Sequence, residues 1–539
     1  MKGLEIIKKA FSLEEVDRVP WVPFVGCHGA NITGVTAAEY LKSADLIFNG
    51  VSKSIEIYNP DGIPVVFDLQ IEAEALGCQL AWSDDNPPAV ISHMLSEGKS
   101  LSDLRIPTVH DGRIPVVIEA TRKIRKAYPD IALYGLITGP YTLALHLLGT
   151  DIFLKMMEAP VEVHELLEFT KKVGLAMTKY YIDAGCDVIA VVDPMTSQID
   201  PGSFEMFVHS PAKEIFDFIR SEEKLSSFFV CGHAQQNIEA MCATGPDNVS
   251  IDENIPLDFV RDIALKNKIS FGGNLKLTVV LLMGTPDDAR RDAMECIDLG
   301  GKKGFVLAPG CDLPGDTPIE NIQAVSELVH DEYLQNVERA KEKSDIQLDL
   351  LNMKDYGRVN KVIVDIITLD SESCAPCQYM VEAVKRIAPY FEGIVEWHEH
   401  AIKKMEAVTF MSSLLVKNIP TICIDGKIAF VSKIPPQNEL IAAIQKRINE
   451  KLKLIISSQK AEILILGISE QECQLAKDKV ELAIKETGKE ILVKTSTLQT
   501  DREKFGVLNT PSIVLTEHKI KAQGDVPSVD VIKEWLKEI

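Results

Sequence analysis

Between Trp21 and Leu307 short β-rich runs alternate with longer stretches of helical periodicity, a rhythm that narrows the possible folds sharply. Strands alternating with helical stretches indicate parallel strands joined by crossover helices. The runs are Trp21–Val25, Ile63–Phe67, Ile131–Leu136, Val188–Val192, Ser227–Val230, Val249–Ile251, Ile269–Phe271 and Phe305–Leu307. Eight is the number that closes a (β/α)8 TIM barrel, so the predicted fold class for this part is α/β. Such a barrel carries its chemistry at the C-terminal strand ends. The residues expected there are Gly26-Cys27-His28, Asp68, Thr138-Gly139-Pro140, Asp193-Pro194, Cys231-Gly232-His233, Asp252-Glu253, Gly272-Gly273-Asn274 and Ala308-Pro309-Gly310-Cys311. Cysteine, histidine and carboxylate side chains then converge on one mouth from separate strands, which points to a metal or acid/base site.

Bulk properties exclude several function classes. A chain of 539 residues exceeds the ~250–300 at which one core stops growing, so several domains are expected. Hydrophobic residues make up 46% and charged residues 25%, an ordinary globular mixture. A net charge of −22 repels phosphate backbones and anionic lipid heads, so neither nucleic acid nor a membrane surface is an expected partner. No apolar stretch approaches the ~20 residues that span a bilayer, and the first residues lack a signal-peptide core, so a cytoplasmic location is expected. Eleven cysteines are too sparse for a disulfide scaffold and should be packing, metal-binding or catalytic residues. Cys78, Cys186, Cys242 and Cys296 are read as packing.

Residues 1–335 resemble the uroporphyrinogen decarboxylase superfamily, and within it the cobalamin-dependent branch that includes methylcobamide:coenzyme M methyltransferases. The resemblance rests on Asp17-Arg18-Val19-Pro20, Glu72-Ala73-Glu74-Ala75-Leu76-Gly77-Cys78, Gly139-Pro140-Tyr141-Thr142-Leu143, Thr244-Gly245-Pro246-Asp247, and Gly310-Cys311-Asp312-Leu313-Pro314 leading to Thr317-Pro318. The Arg-rich first loop with which true decarboxylases grip porphyrinogen is replaced by Phe24-Val25-Gly26-Cys27-His28-Gly29, which argues against porphyrinogen as substrate.

The resemblance implies a zinc ion held by a His-x-Cys after the fifth strand and a Cys after the eighth, activating a thiol acceptor. Cys231 and Cys311 match, but Phe229 stands where the histidine belongs. Zinc prefers four ligands, one of them open for catalysis, so a further donor is required. His233 and the Cys27-His28 pair are the first candidates, with Asp252 or Glu253 as oxygen donors behind them. A metal-bound thiol is deprotonated outright and becomes the nucleophile that methyl transfer from cobalt needs. Asp193, Asp252 and Glu253 are candidates for positioning or proton transfer, and Gly272, Gly273 and Asn274 for close approach of a bulky cofactor to bare backbone. The implied cofactors are zinc and a corrinoid such as methylcobalamin. The implied partners are a corrinoid protein, a small methyl acceptor (a thiol or tetrahydrofolate) and a cellular thiol reductant.

From Gln335 to Tyr356 the chain becomes charged and lacks a strand pattern, and residues 336–358 are read as a linker. Val362–Leu369 then reads as a strand, followed by Cys374-Ala375-Pro376-Cys377 and a helical stretch, so the dithiol sits where a helix N-terminus stabilises a thiolate. Asn418-Ile419-Pro420-Thr421-Ile422 resembles the thioredoxin cis-proline loop, with Pro420 against the dithiol, and Asp425-Gly426 marks a hairpin. Residues 359–455 therefore resemble a thioredoxin-like domain. Residues 456–539 repeat the plan, with a strand at Ala461–Gly467, a helix around Leu475–Glu486, a strand at Ile491–Thr495 and Asn509-Thr510-Pro511-Ser512-Ile513 in the proline-loop position. That copy has no dithiol and only Cys473 near its place, which suits a structural or docking module.

These readings combine into a corrinoid-linked methyltransferase with a metal-thiolate site, coupled to a thiol-disulfide domain that uses Cys374 and Cys377. Two alternatives remain. One is a metal-independent decarboxylase or lyase of the parent superfamily. The other is a thiol-disulfide oxidoreductase whose barrel only binds a ligand.

Overall fold

The computed structural model describes residues 2–341, 350–353, 356–357, 361–372, 374–458, 462–515 and 519–537. Seven parallel strands, Gly62–Pro64, Ala132–Thr138, Val188–Val192, Leu225–Val230, Asn248–Ile251, Ser270–Leu275 and Phe305–Pro309, pair in chain order. The expected first strand is reduced to a single parallel bridge, Trp21 with Leu307. Pro20 and Pro23 flank Trp21, and neither has an N–H to give to a ladder. The bridge still closes the ring. Leu307 N donates to Pro20 O (2.9 Å), Val22 N to Leu307 O (3.0 Å), and Asp61 N to Trp21 O (2.9 Å), joining the last strand to the first.

The Asp17-Arg18-Val19-Pro20 motif acts at this closure. Arg18 forks onto Asp61 at 2.6 and 2.7 Å, and the same carboxylate accepts Trp21 N at 2.9 Å. Crossover helices cover the outside, including Pro160–Ala184, His209–Ser221 and Pro286–Gly300. Pro286–Gly300 starts at a capping box in which Thr285 accepts from Asp288 N and Asp288 accepts from Thr285 N. The barrel interior is filled by apolar side chains, among them Phe24, Phe67, Tyr134, Leu136, Val192 and Phe229. The seventh expected run extends further than its sequence suggested. Ser270–Leu275 includes Gly272, Gly273 and Asn274, so these three lie inside the strand rather than after it.

A four-stranded sheet follows, ordered Val395–Ala401, Val362–Thr368, Thr421–Ile424, Lys427–Val431, its first pair parallel and the others antiparallel. Asp425 (φ 49°) and Gly426 (φ 74°) turn the hairpin between the last two strands, as an Asp-Gly pair does in a two-residue turn. The sequence between the helix Glu332–Ala340 and this sheet, where a linker is expected, falls largely outside the described residues. The chain divides into two compact units, Met1–Ala443 and Ile444–Ile539, so the barrel and this first four-stranded sheet belong to one unit.

The second unit has its own four-stranded sheet in the same arrangement, Leu492–Ser496, Glu462–Leu466, Ser512–Leu515, Lys519–Gln523. The start of its first expected strand, Ala461, lies outside the described residues. Cys473 is buried in this unit's core with Ile463, Ile465 and Val480. Among the described residues, no helix is long and apolar enough to cross a membrane.

Beneath the mouth, Arg113 bonds Asp68 and Glu74, each at 2.6 Å, with Arg113 and Asp68 almost wholly buried. Removing one partner of such a pair strands the other charge in a low-dielectric interior. Arg113→Met should destabilise the first unit by about 3–5 kcal/mol in urea unfolding. A loss below about 1 kcal/mol would show that Asp68 is not held by this pair.

Candidate functional site

The fourth and seventh strands of the ring end in cysteines, and because parallel strands all finish on one side, ring closure brings the two together. Cys231 Sγ and Cys311 Sγ lie 2.6 Å apart, both as free thiols. They open into one cavity that is also lined by Cys27, Cys374, Cys377 and Asp252. Five of the eleven cysteines thus face a single space.

The first four-stranded sheet brings its dithiol to this space through direct contacts with the barrel. Gln378 Nε2 donates to Val90 O (2.7 Å), Ile434 N to Gln198 Oε1 (3.0 Å), and Tyr379 OH meets His146 Nδ1 (3.2 Å). Lys403 reaches Asn86 and pairs with Asp370 at 2.6 Å. Cys374 occupies the N-cap of the helix Ala375–Ile387 and is half-buried. Cys377 lies behind it, fully buried, its sulfur accepting Leu369 N at 3.3 Å. Ile419 and Pro420 complete that wall, joined by a cis peptide bond.

The barrel thiols are shifted toward their protonated form. The hydrogen bond with Cys311, followed by burial, pushes the Cys231 thiol well above its ordinary value. For Cys311 the same bond pulls downward, but burial and the Asp252 and Asp312 carboxylates outweigh it, so its thiol is raised too. Burial raises Cys27 and Cys377 strongly. Asp252 accepts Gly232 N (3.1 Å) and Asn254 N (2.8 Å), and burial raises its carboxyl.

Other expected residues are placed differently. His28 spends both ring nitrogens, Nε2 on Tyr58 OH (2.6 Å) and Nδ1 on Gly315 O (3.0 Å), and does not line the cavity. His233 is half-buried and also off the cavity lining, although its charge acts on Asp252. Asp193 turns away to serve the start of the helix Pro140–Leu148, accepting Thr142 N (2.7 Å), Thr142 Oγ1 (2.6 Å) and Tyr141 N (3.1 Å). Glu253 accepts Leu277 N (2.5 Å) outside the cavity, raised to about 8 by burial and then by the Asp252 charge. Asn274 donates to Ile255 O (2.8 Å) and steadies the loop that carries Asp252, while Gly272 faces the apolar barrel interior. Cys78, Cys186, Cys242 and Cys296 are all buried away from the cavity lining.

Two cavity residues were not singled out by sequence reasoning. Asp312 has one carboxylate oxygen buried without a partner, and burial raises its carboxyl well above the usual range. A Cβ at Gly26 would fall 2.3 Å from that carboxylate, so only glycine admits it. Asp312 adjoins Cys311 and was legible from that neighbour. Lys403 carries no local signal, because its place follows from the docking of a distant segment.

The uroporphyrinogen decarboxylase (URO-D) family matches residues 4–332, more than half of the chain. The chain belongs to this family. A thioredoxin domain matches residues 461–537, and the first four-stranded sheet repeats that domain's strand order. The methylcobamide:CoM methyltransferase MtbA of Methanosarcina acetivorans is 26% identical over 330 residues, 60% of this chain and 96% of the relative. The methylcobamide:CoM methyltransferase MtaA of Methanosarcina barkeri is 28% identical over 285 residues, 52% of this chain and 81% of the relative. A solved methyltransferase from Methanosarcina mazei superposes with a TM-score of 0.57 at 25% identity, covering 62% of this chain and 99% of that one. The family match and the solved structure establish the barrel architecture.

Glu72 is buried, accepting Thr138 N (3.0 Å) and Thr138 Oγ1 (2.7 Å). Burial lifts its carboxyl to about 7, the Thr138 bonds opposing. An unfolded glutamate titrates near 4.3, so between that value and about 7 the native protein holds a proton that the unfolded chain releases. Stability is therefore complete below the unfolded value and falls as pH rises through the folded one. The melting temperature should drop from about pH 5 to about pH 8, and Glu72→Gln, which cannot ionise, should drop less. Equal slopes in calorimetry would show that Glu72 is not the titrating group.

Proposed function

We propose that this chain is a corrinoid-dependent methyltransferase that moves a methyl group from a methylcobamide, presented by a corrinoid protein, to a small thiol acceptor at the Cys231–Cys311 pair. One observation carries the reading: the two strand-end thiols converge at the barrel mouth, in a chain that resembles methylcobamide:CoM methyltransferases over its barrel. Tetrahydrofolate is the competing acceptor. Three carboxylates, Asp85, Asp252 and Asp312, line the cavity beside its thiols and apolar side chains, and Lys403 is its one cationic side chain among the described residues, a balance that disfavours the carboxylates of tetrahydrofolate and favours the small thiol.

Zinc at ~2.3 Å from each sulfur could reach both thiols at their separation. A catalytic zinc takes three protein ligands, however, and among the described residues no group of three or more His, Cys, Asp or Glu side chains could hold a metal ion. Phe229, in the position of the implied histidine, packs its ring 5.3 Å from Phe24 and 5.8 Å from Phe67 and offers no donor. The donor set does not fit zinc by itself.

The chain's own residues account for the proton. An acceptor thiol entering the cavity meets Asp252, whose carboxyl burial raises and so makes a stronger base when ionised. The thiol proton passes to Asp252, the acceptor sulfur bonds the methyl carbon, and cobalt keeps the electron pair of the broken bond. Cys231 and Cys311 border the same space and position the acceptor sulfur.

Loss of the methylcobalamin spectrum under anaerobic, reducing conditions, against a panel of thiols and tetrahydrofolate, tests the reading. A small thiol should support demethylation, and Cys231→Ala, Cys311→Ala and Asp252→Asn should each lower kcat/KM by about 10²-fold or more. Undiminished activity in both cysteine variants would remove the pair from the reaction.

A further inference from the structure

We infer that Cys231 and Cys311 form a second redox pair, interconverting between dithiol and disulfide, and that Cys374 and Cys377 are its built-in exchange partners. As regulation of the methyl-transfer centre this rests on the reading above, while the exchange itself does not.

The two sulfurs, 2.6 Å apart, need only a small approach to reach the ~2.05 Å of a disulfide bond. With no third metal donor among the described residues and Phe229 apolar, such a pair has thiol-disulfide chemistry open to it without a metal. The second dithiol lines the same cavity with no element between. Of its two sulfurs the more accessible, Cys374, sits at a helix N-terminus, while Cys377 is buried behind it: the arrangement of an attacking and a resolving cysteine. Cys374 is also among the groups whose charge acts on Cys231. Leu369, Ile419, Pro420 and Leu313 are the apolar part of the lining that the two pairs share.

The steps balance. A small-molecule disulfide oxidises the barrel pair by exchange, leaving a Cys231–Cys311 bond and two reduced small thiols. The Cys374 thiolate attacks Cys311 Sγ, the half-buried member of the pair. A Cys374–Cys311 bond forms, the Cys231–Cys311 bond breaks, and its electron pair leaves on Cys231, which takes up a proton. Cys377, having given up its proton, then attacks Cys374 Sγ, and Cys311 leaves with the electron pair and is protonated. The barrel pair has gained two electrons and two protons, and Cys374–Cys377 is now the disulfide, open to reduction by a small dithiol. While the barrel pair is oxidised it presents no thiol to the reaction space, so methyl transfer is off.

Full-length reduced protein is treated with oxidised glutathione, quenched in acid and mapped by mass spectrometry. Wild type should show Cys231–Cys311 and Cys374–Cys377 linkages. Cys377→Ser should stall with Cys374 joined to Cys311 or Cys231. In Cys374→Ser, reduced glutathione should reopen the barrel disulfide at least about tenfold more slowly than in wild type, since a tethered dithiol acts at mM effective concentration. Cys374 found only as a glutathione adduct, with Cys231 and Cys311 still thiols, overturns the inference, as do equal reopening rates in wild type and Cys374→Ser. The demethylation assay runs in parallel. A trapped mixed disulfide without any demethylation leaves the exchange standing and removes the methyl-transfer reading. Demethylation that survives oxidation, with no barrel disulfide, does the reverse.

Discussion

A buried carboxylate, Asp61, holds the ring shut. It takes Arg18 on both oxygens and Trp21 N on one of them, and so fixes a segment whose prolines prevent it from pairing as a full strand. Everything at the mouth follows from that closure. Parallel strands deliver all their C-terminal ends to one side, and a closed ring turns a row of ends into a circle. Cys231 and Cys311 are 80 residues apart in sequence and share no local element, yet their sulfurs touch. An open sheet would leave the same residues at separate positions along an edge.

The environment built around the pair is one that holds charge back. Cys27, Cys231, Cys311 and Cys377 are all displaced toward the protonated thiol, and Asp252 and Asp312 toward the protonated acid. Desolvation is a cause common to all of them. A thiol in this space becomes reactive only when a partner accepts its proton, and Asp252 in its ionised form is the acceptor that borders the pair. Burial therefore ties thiol reactivity to specific neighbours.

Much of this was legible in the sequence because strand ends and motif positions are local. Val188–Val192 was read to the residue, and the Cys231–Cys311 and Cys374-Ala375-Pro376-Cys377 placements needed only the alternation of strands and helices. Trp21–Val25 was read as a strand from its β-rich composition, whereas the flanking prolines decide how much of it can pair. The β-rich run Ile269–Phe271 puts Gly272, Gly273 and Asn274 after the strand, yet they are buried and stay in the ladder of Ser270–Leu275. His28 and Asp193 read as reactive side chains at strand ends, but their hydrogen bonds are spent on Tyr58, Gly315 and a helix start. Such partnerships depend on rotamers and distant segments, which no spacing rule reports. Lys403 is the extreme case, since its role at the cavity exists only once two parts of the chain have docked.

Phe229 sets what the mouth can do. In the barrel interior its ring packs at 5.3 Å from Phe24 and 5.8 Å from Phe67, in a layer with few polar partners. An imidazole there would need a metal above it to satisfy a ring nitrogen, because an unpartnered polar group in such surroundings costs free energy. Phenylalanine has no such need. It stabilises the apolar layer directly and leaves the two thiols above it with each other as nearest partners. Replacing the donor by a ring thus changes the balance at the pair from ligation, which wants three convergent groups, toward sulfur–sulfur chemistry, which wants only two. A fused dithiol facing that pair is of little use to a closed metal site, whereas a pair that cycles between thiol and disulfide requires a reductant within reach. The substitution inside the barrel and the extra domain above it are in this sense two halves of one arrangement.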